Sequence, residues 1–162
     1  MEIIFSPWRW SYIRSTNNKG GECALCAYLH SDDGLVVYRG RYCFVVMNKY
    51  PYNVGHVMIV PNRHVPSITD LNSDELHECS TLLIITVKAL AEALGIDYGD
   101  FNIGINIGRV AGAGIEEHVH IHVVPKPSVI AFRNAEPSAV MEETLGIAKK
   151  LREAIPHIMG GT

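Results

Sequence analysis

The sequence predicts an α+β domain with a mainly antiparallel five-stranded sheet, one long helix and a C-terminal helix. Short apolar segments with period-two alternation precede and follow one long stretch with helical spacing, and a second helical stretch follows near the C-terminus. With 162 residues, 48% of them hydrophobic, the chain can build one core. We expect an N-terminal arm over residues 1–21, a main domain over 22–136 and a helical extension of that domain over 137–162.

The first three predicted strands form the N-terminal half of the sheet. Residues 35–38 and 42–48 are separated by Arg39, Gly40 and Arg41, which is typical of a hairpin. Residues 55–61 form a third apolar segment of strand length. Because the connections are short, we expect these three strands to be antiparallel.

The long helix is predicted between residues 73 and 95. Ser73 precedes two acidic residues and is the expected N-cap, and Gly95 ends the pattern. Apolar side chains follow a helical spacing at Leu76, Leu83, Val87 and Leu90. This pattern indicates a helix that packs one face against the sheet.

Two more strands and a terminal helix complete the predicted fold. Residues 101–108 and 118–125 both alternate between apolar and polar or small residues, with a loop over residues 109–114 between them. Residues 137–155 have helical spacing, and Pro137 suits the first turn of a helix. The order of strands, helix, strands and helix is the basis of the α+β prediction.

The charge balance argues against two classes of partner. Lys and Arg number 14 against 17 Asp and Glu, so the net charge of −3 gives no basic footprint for duplex nucleic acid or an anionic membrane. The most apolar helical stretch, residues 82–91, is far shorter than the roughly 20 residues of a membrane span. The first residues lack the apolar run of a signal peptide, so we expect a cytoplasmic protein.

Three histidines share one face of the last predicted strand. His118, His120 and His122 alternate with apolar residues, so their imidazoles point to one side while the others point into the core. Successive histidines are about 6.6 Å apart along a strand, which suits contacts along a phosphate chain better than three ligands of one ion. Two alternatives stay open: a merely solvated polar face, and a catalytic metal held by two of these histidines.

Histidine is suited to nucleophilic attack at phosphorus. A neutral imidazole is available near pH 7, and the phosphoramidate that it forms is readily hydrolysed. Gly108, Gly112 and Gly114 lie just before the histidine strand, where glycine lets backbone N–H groups approach phosphate oxygens closely. This loop leads into a strand instead of a helix, so it does not match the dinucleotide-binding fingerprint.

Residues 118–124 resemble the H-φ-H-φ-H-φ-φ signature of the histidine-triad family, where φ is an apolar residue. The similarity extends from Cys23 to Lys126 and includes Asn48, residues 55–57 and residues 61–64. An N-terminal Trp-Arg pair at residues 8–9, with a Tyr-Ile pair at residues 12–13, and an acidic C-terminal helix resemble the branch of diadenosine polyphosphate hydrolases and phosphorylases.

The resemblance implies catalytic roles for four histidines. His120 would be the nucleophile that forms a nucleotidyl-histidine intermediate, and His122 would contact the phosphates. His118 and His56 would orient and polarise the site. The resemblance therefore implies that the active site lies on the shared face of this strand.

The resemblance also implies a set of substrate contacts. Asn48 would bind the ribose or nearby groups, although a strand-end Asn beside a turn is its structural alternative. Phosphate contacts are expected in the glycine loop and the preceding strand, and an apolar cleft would hold the base. The residues expected near the phosphates are Asn106, Gly112, Ala113 and Gly114. Those expected in the base cleft are Phe44 and Ile68.

A structural zinc site is the expected cofactor site. Cys23 and Cys26 have a metal-binding spacing, and in a chain without export signals they are metal ligands or free thiols in preference to a disulfide. In similar proteins the other two ligands correspond to His64 and His118. Four protein ligands leave no open position, so such a zinc is structural and limits any part of His118 in proton relay. The alternative is that Cys26 is a small apolar residue and His64 a solvated strand end.

The resemblance therefore predicts a homodimeric nucleotidyl hydrolase or transferase that acts on dinucleoside polyphosphates such as diadenosine tetraphosphate. The alternatives are an adenosine phosphoramidase that cleaves P–N bonds, a zinc-dependent hydrolase and a non-catalytic nucleotide-binding sensor. Two features depart from the family pattern. No Gln, Ser or Thr lies among residues 113–117, and no aromatic residue lies in residues 126–128, so hydrolysis is favoured over phosphorolysis.

Overall fold

The structure, a computed structural model, describes residues 21–126 and 136–161. The predicted N-terminal arm therefore lies outside the described residues, except for Gly21. The described helices and strands are α1 (Ala24–Tyr28), β1 (Val36–Arg39), β2 (Cys43–Met47), β3 (Val57–Pro61), α2 (Ser73–Leu94), β4 (Phe101–Ile105), β5 (Ile121–Pro125) and α3 (Pro137–Gly160). Two 3-10 turns cover Ile68–Asp70 and Arg109–Ala111.

The five strands form one sheet in the order β1-β2-β3-β5-β4, and each neighbouring pair is antiparallel. The predicted α+β class with its five-stranded antiparallel sheet is confirmed. In this register His122 lies opposite Met58 of β3 and opposite Gly104 of β4. His122 is thus placed near the middle of the sheet on a strand with a partner on both sides.

Two strands begin later than the sequence pattern predicts. The chain turns at Gly55, where φ is +78°, so β3 begins at Val57 and not at residue 55. β5 begins at Ile121 and not at residue 118. In the preceding segment the Val119 N–H donates to the Val65 carbonyl at 2.7 Å, a bond to the turn region that follows β3. His118 and His120 therefore lie before the regular ladder.

Helix α2 is capped one residue earlier than predicted. Asn72 and not Ser73 is the N-cap: its side chain accepts from the Glu75 N–H at 3.0 Å, while the Glu75 carboxylate accepts from the Asn72 N–H at 2.8 Å. This reciprocal capping box satisfies two N–H groups that would otherwise lack partners. At the other end Gly95 has the left-handed conformation, which confirms the predicted end of the helix.

The core lies between the sheet and the two long helices. Every residue of β2 and β3 is buried, which explains why these strands have continuous apolar runs instead of alternation. Leu151 and Ile155 of α3 are completely buried in the same cluster as the strand residues, so the C-terminal helix packs on the main domain. Each such side chain contributes about 1.5–3 kcal/mol through burial.

The β1–β2 hairpin is held by a carboxylate from α2. Three consecutive backbone N–H groups, from Arg41, Tyr42 and Cys43, donate to Glu78 at 3.0, 2.5 and 2.6 Å. Hydrogen bonds to an ionised acceptor are stronger than those between neutral groups. Glu78 therefore holds the β1–β2 hairpin, at the edge of the sheet, against α2.

Gly55 is the position where packing leaves no room for a side chain. A Cβ atom there would lie 2.9 Å from Leu94 Cδ1 and 3.2 Å from Pro125 Cγ, in addition to the strain of the positive φ. We expect Gly55→Ala to lower the free energy of unfolding by about 3 kcal/mol, measured by denaturant unfolding at fixed protein concentration.

Gly95→Ala is the matched control for Gly55→Ala. Gly95 also has a positive φ, +67°, but a Cβ there would meet nothing within 4 Å. Gly95→Ala should lower the free energy of unfolding only by the cost of the backbone strain, about 1 kcal/mol. Equal losses in the two variants would show that the close approach of Leu94 and Pro125 contributes nothing.

Candidate active site and metal centre

The three histidines of the sequence motif have three different environments. His118 is completely buried, His120 is 5% exposed, and His122 is half-buried. The His120 and His122 rings lie edge to face with centroids 4.6 Å apart. The His118 ring instead packs against the His64 ring, with centroids 5.1 Å apart. One row of histidines is thus divided between two neighbouring sites.

His120 is held in one tautomer by the backbone carbonyl of His118. Its Nδ1 lies 2.8 Å from the His118 carbonyl oxygen, which can only accept, so Nδ1 carries the proton. Nε2 therefore has the lone pair. Burial lowers the pKa of His120 below its usual value, and the hydrogen bond to the carbonyl opposes part of that shift. The side chain is therefore a neutral imidazole with an unprotonated Nε2.

His122 belongs to a chain of hydrogen bonds that begins in the turn before β3. The Tyr52 N–H donates to His56 Nδ1 at 3.0 Å, so His56 in its neutral form carries its proton on Nε2. His56 Nε2 lies 2.9 Å from His122 Nδ1 and donates to it. His122 in turn carries its proton on Nε2. The Tyr52 ring stacks on His56 with centroids 4.9 Å apart and holds that ring in place.

A cavity on the His120 and His122 side of the sheet brings the predicted site together. Asn48 lies at its wall, and its Oδ1 is held by the Tyr50 N–H at 2.9 Å. The other lining residues are Ala24, Leu25, Tyr28, Lys49, Tyr50, Tyr52, Met58, Gly112, Gly114 and Ile115. The cavity therefore combines an apolar floor, an amide, a lysine and two imidazoles.

The glycine loop reaches this cavity, but two of its N–H groups are already used. The Gly112 N–H donates to the Arg109 carbonyl at 3.0 Å, and the Ala113 N–H donates to the Gly108 carbonyl at 3.2 Å. These bonds close the 3-10 turn. Gly112 and Gly114 both lie at the cavity wall, and substrate contacts by this loop stay a prediction.

Three other predicted substrate residues lie away from this cavity. Asn106 lines a neighbouring groove along β4, which shares Tyr52 and His122 with the cavity. Ile68 lines an apolar cavity that also touches His120. Phe44 was expected in the base cleft, and this is wrong: its side chain is completely buried in β2, so it cannot contact a base without unpacking the core.

Cys23, Cys26, His64 and His118 form a cluster that can hold a metal ion, with one ligand atom from each residue and all four atoms within 4.8 Å of one another. A tetrahedral zinc site has ligand atoms about 3.3–3.8 Å apart, given Zn–S near 2.3 Å and Zn–N near 2.0 Å. His118 Nδ1 lies 3.6 Å from Cys23 Sγ and 3.5 Å from Cys26 Sγ. His64 Nδ1 lies 3.2 Å from Cys26 Sγ. The donor set and the spacing both fit zinc.

The environment of these ligands favours a cation between them. Burial and the neighbouring Cys23 raise the pKa of the Cys26 thiol to about 11. The pKa of His118 is lowered by burial, so its imidazole is neutral and can act as a ligand. A positive ion would oppose the rise in the pKa of Cys26, because it stabilises the thiolate.

His118 has no nitrogen left for proton relay. Its Nε2 lies 2.9 Å from the Pro61 carbonyl and must donate to it, so the lone pair on Nδ1 points to the two cysteines. The expected role of His118 in polarising the site is accordingly reduced to its backbone: the His118 carbonyl fixes the tautomer of His120.

An ion pair supports the turn that carries His64. Arg63 donates to both oxygens of the buried Glu75 carboxylate, at 2.9 and 2.8 Å, and to the Asp70 carbonyl at 2.6 Å. The hydrogen bond from Arg63 lowers the pKa of Glu75. The role of Arg63 was not predicted from the sequence. The acidic first turn of α2 was visible in the sequence, but its cationic partner was not.

Several cavity residues were also missed. Tyr28 lies on α1, a helix of five residues for which the sequence has no periodic signal. Tyr50 and Tyr52 lie in the turn between β2 and β3, where two tyrosines beside Pro51 were the available signal. Burial raises the pKa of the Tyr28 hydroxyl to about 12, so it remains a neutral donor.

Among residues 21–126 and 136–161, no helix is long and apolar enough to cross a membrane. The cytoplasmic location stays a prediction. So does the division of the chain at residues 21 and 136.

Comparison with known proteins identifies the family. The family model described as HIT domain matches residues 31–129. A protein of Mycobacterium tuberculosis named AP-4-A phosphorylase is 35% identical over 138 residues, which cover 78% of this chain and 68% of that protein. The asymmetrical bis(5'-nucleosyl)-tetraphosphatase of Schizosaccharomyces pombe is 32% identical over 91 residues, which cover 56% of this chain and 48% of that protein.

The fold is shared with solved structures. A Zn-bound histidine triad family protein from Mycobacterium smegmatis superposes with a TM-score of 0.70 at 23% identity, and the match covers 87% of this chain and 98% of that one. The family match spans more than half of the chain and includes all three histidines of the motif. The chain therefore belongs to the histidine-triad (HIT) family.

Proposed function

We propose that the protein is a nucleotidyl hydrolase or transferase that cleaves dinucleoside polyphosphates through a nucleotidyl-histidine intermediate at His120. The observation that carries this proposal is the unprotonated Nε2 of His120 beside a cavity that Asn48 and His122 also line. The named relatives from M. tuberculosis and S. pombe support the substrate class.

In the first step, His120 Nε2 attacks the α-phosphorus of the bound nucleotide. A P–N bond forms, and the P–O bond to the rest of the polyphosphate breaks. The leaving oxygen takes the electron pair and receives the proton on His122 Nε2, which the chain from Tyr52 through His56 orients. Lys49 at the cavity wall provides a positive charge for the phosphate oxygens.

In the second step, an acceptor oxygen attacks the same phosphorus and the P–N bond breaks, so that the electron pair returns to His120 Nε2. The acceptor gives up its proton to His122, which restores the starting state. With water as the acceptor the reaction is hydrolysis, and with inorganic phosphate it is phosphorolysis. A single intermediate thus explains both activities in the names of the relatives.

Replacement of the nucleophile tests the mechanism. We expect His120→Ala to lower turnover of diadenosine tetraphosphate by about 10⁴-fold or more, because the covalent route is lost. Ion-exchange chromatography of the products, with and without inorganic phosphate, gives the measurement. AMP with ATP indicates hydrolysis, and ADP with ATP only in the presence of phosphate indicates phosphorolysis.

His77→Ala is the matched control for the nucleophile, because His77 is an exposed histidine on α2. It should retain wild-type turnover. Wild-type turnover in His120→Ala would contradict the mechanism. Binding of the dinucleotide without any conversion by the wild type would favour a nucleotide sensor, and cleavage confined to a P–N substrate would favour a phosphoramidase.

We also propose that the Cys23, Cys26, His64 and His118 cluster binds a structural zinc ion. The donor set and the distances support zinc, and four protein ligands leave no position for substrate or water. When bound, the metal supplies a crosslink between α1, the turn after β3 and the segment before β5. It takes no part in bond making.

Loss of a ligand should therefore affect stability and metal content together. We expect His64→Ala to bind less than one zinc per chain by elemental analysis and to lower Tm by roughly 5 °C or more. His77→Ala, which removes another exposed histidine, should keep both values. Unchanged zinc and Tm in His64→Ala would contradict the site, and loss of activity on chelation at constant Tm would favour a catalytic metal.

We further propose a homodimer that joins two sheets at β4. This strand is at the end of the strand order and bonds only to β5 within the sheet. An exposed apolar side chain lies on this strand: Ile103 is 50% exposed. Pairing of an edge strand with its copy across a two-fold axis covers both features.

Light scattering tests the dimer. The wild type should have twice the chain mass of 17.9 kDa. Ile103→Lys should be a monomer at the same concentration, because two lysines would be buried opposite each other. Ala139→Lys, at an exposed position of α3, should remain a dimer. A monomeric wild type would exclude the proposed interface.

A further inference from the structure

Two cysteines outside the catalytic and metal sites point at each other across the core. Cys43 lies on β2 and Cys79 lies on α2, and their Sγ atoms are 2.7 Å apart. Cys43 is completely buried and Cys79 is 3% exposed. We infer that Cys43 and Cys79 form a disulfide that joins β2 to α2.

The separation of the sulfur atoms favours a covalent bond over two packed thiols. Non-bonded heavy atoms pack at about 3.5–4.0 Å, and sulfur is larger than carbon. Thus 2.7 Å is too short for a comfortable contact between thiols. The sulfur atoms of a disulfide lie about 2.05 Å apart, so the bond requires the two Sγ atoms to come closer than they are here.

The backbone on both sides is fixed in a way that keeps the two side chains together. Cys43 pairs with Pro61 in the β2–β3 ladder, and its N–H donates to Glu78. Glu78 is the residue before Cys79, so the same helical turn holds the hairpin and presents the second thiol. Cys23 and Cys26 contact His64 and His118 instead. Cys79 is therefore the cysteine that Cys43 contacts, and Cys23 and Cys26 belong to the metal cluster.

The bond forms by thiol–disulfide exchange with a small-molecule disulfide such as oxidised glutathione while the chain folds. One cysteine thiolate attacks the glutathione disulfide, forms a mixed disulfide and releases one glutathione thiolate. The second cysteine thiolate attacks the protein sulfur of the mixed disulfide and releases the other. Two protein thiols are oxidised, one disulfide is reduced, and the protons of both thiols pass to the two glutathiones.

Burial makes the crosslink structural and protects it from exchange. Exchange needs a thiolate to reach a sulfur atom, and both sulfurs are shielded by the core. The pKa of the Cys43 thiol is raised by the contact with Cys79 and by burial, so the reduced pair would be unreactive in the folded protein. A well-placed buried disulfide has a low reduction potential and can persist in the presence of glutathione.

The crosslink would close a loop that contains part of the active site and one residue of the metal cluster. Cys43 and Cys79 are 36 residues apart, and between them lie Asn48, His56 and His64. Closing a loop of this length restricts the unfolded chain. The bond would thus stabilise the part of the fold that positions the ribose contact, the relay to His122 and one metal ligand.

Peptide mapping of the wild-type protein tests the bond directly. The protein is refolded with Zn²⁺ in a mixture of oxidised and reduced glutathione, denatured with N-ethylmaleimide and digested with trypsin without reductant. Residues 42–49 and 64–88 are then separate peptides with Cys43 and Cys79, whereas Cys23 and Cys26 share residues 20–39. A linked pair lighter than the two peptides by two hydrogens is expected. Recovery of both peptides only as maleimide adducts would overturn the inference.

Thermal unfolding tests the contribution of the bond to stability. Reduction before the measurement should lower the Tm of the oxidised wild type by about 10 °C. The double variant Cys43→Ala with Cys79→Ala should have the same Tm with and without reductant. An equal fall in both proteins would show that reduction acts elsewhere, for instance at the metal ligands, and would remove the stabilising role of the crosslink.

Discussion

The hydrogen bond from His118 Nε2 to the Pro61 carbonyl is the constraint on which the site depends. It fixes the His118 ring, so that Nδ1 faces Cys23 and Cys26, and it ties the end of β3 to the segment before β5. The adjacent bond from the Val119 N–H to the Val65 carbonyl aligns the same segment. The His118 carbonyl is then in place to accept the His120 Nδ1–H. One buried contact therefore orients a residue of the metal cluster and the proposed nucleophile.

Hydrogen-bond partners, and not residue type, determine what each histidine can do. His120 meets a carbonyl at Nδ1 and keeps a lone pair at Nε2, whereas His122 meets a donor at Nδ1 and carries a proton at Nε2. A neutral imidazole has one donor and one acceptor, so fixing one nitrogen fixes the other. His120 and His122 are the same residue type and their rings lie 4.6 Å apart, yet one takes the role of nucleophile and the other the role of acid in the proposed mechanism. His56 makes this possible because the Tyr52 N–H reverses its tautomer relative to His120.

Periodic features could be predicted from the sequence, and features that depend on distant contacts could not. The strands, helix α2 and the histidine row follow from spacing alone, and the cysteine and histidine cluster followed from the family resemblance. The N-cap is Asn72 and not the predicted Ser73, because Asn72 and Glu75 exchange hydrogen bonds between side chain and backbone N–H in both directions. Phe44 was assigned to a cleft because alternation does not reveal that β2 is covered on both faces. The 3-10 turn in which the Gly112 and Ala113 N–H groups bond to the Arg109 and Gly108 carbonyls was also not specified by the sequence.

The metal cluster and the nucleophile are mechanically coupled although they are chemically separate. A filled tetrahedral site has no open position for substrate, yet His118 is both a ligand and the residue whose carbonyl fixes His120. Movement of His118 toward or away from the cysteines would move that carbonyl, and a change in the 2.8 Å bond would allow the His120 ring to rotate or change tautomer. The Arg63–Glu75 ion pair also helps to position the cluster, because it holds the turn that carries His64 against the first turn of α2. In the proposed mechanism, the metal cluster therefore affects the nucleophile through one backbone oxygen.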